Sequence, residues 1–218
     1  MHAKQWIGKS ESTGERIAAF PANAMAATLN HSGPMYKDGD PLPHLWHWLY
    51  FLQTFNLEDK GYDGHPKLGG FLPPIDLPRR MWAGSRLKFL APMSIGAQLN
   101  KESTIKAVTE KSGRSGALAF VTVLHQVHDG NTLCLEEEHD IVYREKMSAH
   151  APQASPPSAP TESAFSRNID PDPVMLFRYS ALTFNGHRIH YDQPFCTDTE
   201  GYEGLVVHGP LMATMLLD

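Results

Sequence analysis

The 218-residue chain is poor in cysteine, with Cys134 and Cys196 alone and no C-x-x-C spacing. That excludes a disulfide scaffold and a zinc knuckle and leaves two reduced thiols as the reading. Long apolar runs are also missing, and the mean hydropathy is −0.34. No stretch approaches the roughly 18–20 uncharged apolar residues that a membrane span needs. The first residues mix Lys4, Lys9, Glu11, Glu15 and Arg16 with apolar positions, so no secretory h-region is read and a cytoplasmic protein is expected. A basic excess is absent as well. The formal charge is −5, and without a basic face nucleic acid is an unlikely class of partner. Histidine, by contrast, is abundant, at twelve residues. It serves proton transfer and metal binding as well as ordinary packing.

Organisation follows from pattern. Residues 147–166 are dominated by Ala, Pro and Ser and lose apolar periodicity. Such a linker divides a front part, 1–146, from a back part, 167–218. In the front part Leu42, Leu45, Trp46, Leu49 and Leu52 share helical spacing, which predicts a buried helix over residues 41–55. A Gly/Pro-rich loop follows, from Gly61 to Pro78. Strands are expected near Arg86–Phe89, over Gln98–Glu110, Ala117–His128 and Thr132–Tyr143, with hairpin turns at Ser112–Gly116 and Asp129–Asn131. One helix wrapped by an antiparallel meander is α+β architecture. In the back part Met175–Thr183 reads as a strand, and the apolar run after Pro210 as a second buried helix. No strands follow it before Asp218, which suggests that the second unit is truncated.

The chemistry-bearing stretch is Asn185-Gly186-His187-Arg188-Ile189-His190-Tyr191-Asp192, with His208-Gly209 at the second helix start. Hydration of an enoyl thioester needs a base for water, a proton for the α-carbon and donors for the thioester oxygen. His190 can take the proton, Asn185 can orient the water, and Asp192 can hold the imidazole or share its role. Gly209 can give its backbone N–H at the positive end of the helix. Four N/O side chains near one another, His187, His190, Asp192 and His208, lack fixed metal-ligand spacing, so no metal is expected.

These residues resemble the R-specific, MaoC-like enoyl-thioester hydratases of the hot-dog fold. Residues 185–192 and 200–211 look like the branch of mesaconyl-C(4)-CoA hydratases, itaconyl-CoA hydratases and mitochondrial type-2 3-hydroxyacyl-thioester dehydratases. Residues 79–86 and 138–145 look like that branch's N-terminal half. The resemblance implies a double hot-dog, with the catalytic motif in the second unit and the second sheet missing here. It also implies an acyl-CoA substrate, no cofactor beyond the CoA of the substrate, and a homo-oligomer, by expectation a dimer. Arg79, Arg80 and Arg86 are expected at CoA phosphates, Arg188 at a substrate carboxylate, and Tyr191 and His208 at the substrate. Where the wider family has aspartate this chain has Asn185, and an amide cannot take a proton. The base role therefore falls to His190, alone or assisted by Asp192. Two rivals stand beside this reading: a dehydratase of fatty-acid synthesis acting on acyl carrier protein, and a non-catalytic acyl-CoA-binding subunit.

Overall fold

A computed structural model describes residues 3–113, 116–145, 158 and 160–218. Five strands form one antiparallel sheet: β1 (Ser10–Arg16), β2 (Arg79–Phe89), β3 (Gln98–Gly113), β4 (Gly116–Asp129) and β5 (Thr132–Arg144), ordered β1-β3-β4-β5-β2. The three long strands β3, β4 and β5 are the predicted meander. Gly130 and Asn131 make the tight turn between β4 and β5. The expected strand at Arg86–Phe89 is the end of a longer one, since β2 pairs with β5 from Arg79↔Arg144 to Phe89↔Leu135. β1 was not foreseen. Its sequence is polar, and it is held to β3 by its backbone ladder from Ser10↔Thr104 to Arg16↔Gln98.

The predicted helix at 41–55 does not form. Pro41 makes a bridge to Ser94, Leu42 N–H donates to the Met93 carbonyl, and Trp46–Leu49 is a single 3₁₀ turn. Leu45 and Phe51 have φ of 67° and 56°, which no α-helix accommodates. The two prolines remove amide donors, and the segment bonds to the chain around Met93 instead of to itself. Most of its expected burial holds: Leu42, Leu45, Trp46, Leu49, Tyr50 and Phe51 are buried, whereas Leu52, expected on the same face, is exposed. The front helix is instead α1 (Ala19–Thr28), an alanine-rich run that buries Ala22, Met25 and Thr28 at spacings of three.

The back part holds α2 (Pro173–Leu182) and α3 (Gly209–Leu217). The strand expected at Met175–Thr183 is a helix for a local reason. Asp172 caps it by accepting a hydrogen bond from Met175 N–H at 2.8 Å, and Pro173 stands in its first turn, where a missing N–H costs nothing. Leu176, Tyr179 and Ser180 then face inward, which is helical spacing. α3 forms where expected, behind Pro210. The Ala/Pro/Ser linker lies mostly outside the described residues.

Two apolar clusters hold the fold. The larger joins Met25, Trp46, Leu99, Val127 and Leu135 of the front part to Leu176, Tyr179 and Leu211 of the back part. α2 and α3 thus share the core of α1 and the sheet. The smaller cluster gathers Ile75, Ile105, Val121, Val123 and Tyr143. Truncating a fully buried member such as Leu99 to Ala would cost about 2–5 kcal/mol. In the same sheet a buried polar rung, Ser103↔His125↔Glu137, crosses three strands. Glu137 accepts from Trp48 Nε1 and Ser85 Oγ and pairs with His47 at 3.0 Å, so its buried charge is fully engaged.

Candidate active site

The loop after α2 turns tightly. Asn185 Oδ1 accepts from His187 N–H at 3.0 Å, an Asx turn, and a 3₁₀ turn over Arg188–His190 follows. The segment from Leu205 to His208 runs back beside it. Val206 N–H donates to the Ile189 carbonyl, and His190 Nδ1 donates to the Val206 carbonyl at 2.6 Å. A carbonyl oxygen only accepts, so Nδ1 carries the proton and Nε2 is the bare, basic nitrogen of the neutral ring. Burial lowers the His190 pKa to about 4, which keeps that ring neutral at pH 7.

His190 belongs to a row of imidazoles. Its ring stacks on His208 at 3.5 Å between centroids and meets His187 edge-on at 5.5 Å; His187 in turn lies 4.2 Å from His65. Both ends are anchored. His208 Nε2 is 2.8 Å from Ser180 Oγ of α2, and His65 Nδ1 is 3.0 Å from Asp63 Oδ2. Burial lowers His208 and His187 to about 3 each, and for both the neighbouring imidazoles add to the effect. At Asp63 burial works against ionisation, but the hydrogen bonds from His65 outweigh it and hold the carboxyl at about 2.

Asp63 and His65 come from the Gly/Pro loop of the front part. That loop reaches the motif because Gly64 and Gly186 touch backbone to backbone. A Cβ on Gly64, whose φ is 93°, would overlap the Gly186 carbonyl oxygen, and one on Gly186 would lie 2.7 Å from the Gly64 oxygen. Arg188 N–H donates to the Asp63 carbonyl at 2.8 Å and closes the junction. Asp63, His65 and His187 bring ligand-type atoms within 4.8 Å of one another.

Two openings flank this junction. A cleft of about 450 Å³ is lined by Phe55, Phe177, Phe184, Ser180, Asn185 and Tyr191 among others. It is apolar with a few polar groups on its wall, the character of a small-molecule site. A second, narrow pocket is lined by Tyr62, Asp63, Arg79, Arg80, His187 and Tyr202, with Glu200 also on its wall.

The sequence-predicted residues fall into two groups. Asn185, His190 and His208 come together at the histidine row, Gly209 follows His208 at the start of α3, and Tyr191 lies on the cleft wall with its hydroxyl donating to the Gly186 carbonyl. Several expected roles are corrected by their partners. Asp192 does not hold His190: its carboxylate takes Arg188 Nε at 2.9 Å and the Phe195 N–H at 3.1 Å. Arg188, expected at a substrate carboxylate, is already matched by Asp192 and lies over the Phe195 ring at 4.2 Å. His208, expected at the substrate, is 1% exposed and backs His190 instead. Arg86, expected at CoA phosphate, pairs with Asp140 and Glu138 on exposed strand positions. Arg79 makes a buried 2.5 Å pair with Glu200 of the π-helical turn Phe195–Glu200. Gly209 does begin α3, but its lack of a side chain also admits Trp82: an added Cβ would lie 2.7 Å from that ring. Trp82 Nε1 donates to Ser85 Oγ, which donates to Glu137, so the buried rung reaches the start of α3.

Sequence reasoning missed Asp63, His65, Ser180 and Trp82. The one available signal was Asp63-Gly64-His65 inside the unusually long Gly/Pro loop.

A five-stranded antiparallel sheet against a helix, with a histidine loop leading to a second apolar helix at His-Gly-Pro, defines the hot-dog class of acyl-thioester enzymes. Within that class the chain belongs to the hydroxyacyl-thioester dehydratase type 2 family, whose pattern matches residues 45–218. It is 50% identical over 214 residues to the mesaconyl-C(4)-CoA hydratase of Chloroflexus aurantiacus, covering 98% of this chain and 76% of that one. It is 27% identical over 197 residues to the mitochondrial hydroxyacyl-thioester dehydratase type 2 of Schizosaccharomyces pombe, covering 79% of this chain and 65% of that one. A solved MaoC-like dehydratase superposes with a TM-score of 0.63 at 11% identity, over 98% of this chain and 76% of that one, which supports the fold. Among the described residues no helix is long and apolar enough to cross a membrane.

Proposed function

We propose that this chain is a hydro-lyase that adds water to the double bond of an α,β-unsaturated acyl-CoA of the mesaconyl type, forming citramalyl-CoA. The observation that carries this reading is His190, buried, neutral and locked in the tautomer whose Nε2 is a base. In hydration the water O–H bond breaks, its proton passes to Nε2, and the oxygen bonds to the β-carbon. The π electrons move to the thioester oxygen, which the α3 N-terminus at Gly209 stabilises. The α-carbon then takes the proton back from the imidazolium. Asn185 has spent its oxygen on the His187 N–H, so what it offers is its two amide donors, which suit holding the water oxygen. The reaction needs no cofactor besides the CoA of the substrate. The same path run backwards is a 3-hydroxyacyl-thioester dehydration, the activity in the family's name.

The test is loss of enoyl-thioester absorbance with mesaconyl-CoA and crotonyl-CoA, beside a His190→Ala variant. Removing a general base is expected to lower kcat by about 10²–10⁴-fold. A folded variant with wild-type turnover would refute the role of His190, and a wild-type protein inert on both substrates would refute the activity. A cytoplasmic enzyme working as a homodimer completes the reading, and sedimentation velocity checks the oligomer.

A further inference from the structure

We propose that Ser180 is a further catalytic residue: its hydroxyl donates, beside the Asn185 amide, to the oxygen that joins or leaves the β-carbon. This rests on the hydratase reading above and completes the water subsite. Ser180 stands where the cleft of about 450 Å³ meets the histidine row. It is 6% exposed, and it lines that cleft together with Phe177, Ala181, Phe184 and Asn185. The Asn185 N–H donates to the Ser180 carbonyl at 2.8 Å, which keeps the two residues side by side on one wall. Ser180 Oγ also lies 2.8 Å from His208 Nε2, and the His208 ring stacks on His190 at 3.5 Å. Ser180 is thus one imidazole away from the base and next to the residue that orients the water.

The Ser180–His208 bond can run in either direction, and the surroundings of His208 choose. Its ring is packed between His190 and Tyr179, which it meets edge-on at 4.9 Å, and its Nδ1 is buried with no hydrogen-bond partner among the described residues. A proton on Nδ1 would be a buried donor with nothing to bond. A proton on Nε2 leaves only a lone pair unmatched, which folded proteins tolerate better than an orphaned N–H. His208 therefore donates from Nε2 to Ser180 Oγ, and the serine keeps its own hydrogen. No other hydrogen bond engages that hydroxyl among the described residues. Burial holds the His208 pKa at about 3, so the ring does not take the serine proton either. Ser180 is a hydrogen-bond donor here, not an activated nucleophile.

The other polar groups on the cleft wall are accounted for. The Tyr191 hydroxyl is spent on the Gly186 carbonyl, Asn185 Oδ1 on the His187 N–H, and Lys60 is exposed. What remains is two neighbouring donors, the Ser180 O–H and the Asn185 amide, on a wall otherwise made of Phe55, Phe177 and Phe184. Such surroundings strengthen a hydrogen bond, and the bond from His208 polarises the serine hydroxyl further. A water that gives one proton to His190 has two lone pairs, and two donors fix its direction. In dehydration the same donors stabilise the charge that gathers on the departing hydroxyl.

The experiment measures calorimetric Kd values for citramalyl-CoA and methylsuccinyl-CoA, which differ only in the β-hydroxyl. It uses His190→Ala, which leaves the first ester intact, with and without Ser180→Ala. The preference for the hydroxylated ester is expected to fall about 10-fold when Ser180 is removed. A purely structural role would weaken both esters together, and a ratio that does not move overturns the proposal, as does the lack of any preference while Ser180 is present. In turnover of mesaconyl-CoA, Ser180→Ala alone should lower kcat about 10-fold with KM nearly unchanged, and Ser180→Thr, which keeps the hydroxyl, should recover most of it. An unaltered kcat overturns the proposal too. If the wild type hydrates neither mesaconyl-CoA nor crotonyl-CoA, the hydratase reading fails, and the two binding ratios still decide whether Ser180 holds a β-hydroxyl. Should Ser180→Ala not fold, Ser180→Cys, close in shape and a weak donor, takes its place. Nitrogen-15 NMR of the imidazoles reads the tautomer directly: a His208 proton on Nε2 supports the assignment, and one on Nδ1 overturns it.

Discussion

Mild acid should unfold this protein well above the pH at which its carboxylates titrate. His125, His187, His190 and His208 are held neutral, with pKa values of about 3, 3, 4 and 3, burial being the leading cause at each. In an unfolded chain each returns to about 6.5. The folded state thus binds fewer protons, and its stability is complete above about pH 6.5 and falls as the pH drops toward the folded values. Between pH 7 and pH 5 each histidine contributes a loss of about 2 kcal/mol by linkage, or on the order of 7 kcal/mol for the four. That is comparable with the whole stability of a typical domain, about 5–15 kcal/mol. Asp63 and Glu137, whose pKa values are lowered, titrate below this window and do not offset the loss. The assay is urea unfolding at half-unit pH steps, with proton uptake measured on unfolding at pH 5.5. Three to four protons are expected per molecule, and His125→Gln should remove about one. A urea midpoint that is flat from pH 7 to pH 5 would refute the argument and mean that these rings are solvated or already charged.

Two further outcomes follow from close contacts. Gly209→Ala places a methyl 2.7 Å from Trp82 and should cost about 1–3 kcal/mol with a loss of turnover, partly restored by Trp82→Leu; chemical denaturation and the absorbance assay read both. Asp172→Ala removes the α2 cap and should cost about 1 kcal/mol in the same unfolding experiment, with turnover little changed.

What the sequence makes legible is what depends on neighbours in the chain. The β4–β5 hairpin is announced by Asp129-Gly130-Asn131 between β-branched and aromatic runs, and α3 by Pro210 ahead of an apolar stretch. The errors arise where tertiary contact outweighs pattern. Residues 41–55 have helical spacing, yet the prolines and the β2–β3 connection at Met93 and Ser94 capture their backbone. β1 has no apolar alternation, because an exposed edge strand needs only its ladder. α2 was misread although Asp172-Pro173 is a helix-start signal. Asn185 and His190 could be placed together because they lie in one stretch, residues 185–192, and Gly209 at a helix start because Pro210 follows it. Asp63 and His65 were not, since nothing local says that their loop folds onto residues 185–188. The matching of Arg79 by Glu200 is equally a fact of three dimensions.

The Gly64–Gly186 contact has a consequence for how the enzyme comes into being. It joins positions 122 residues apart, 186 less 64. Closing a flexible loop of that length costs about 4 kcal/mol in chain entropy, and the return comes only when both glycines are in place. Such contacts form late. The proton-handling row is therefore a product of the finished molecule rather than of either segment. The row is assembled only when the back helices dock on the sheet whose core they share.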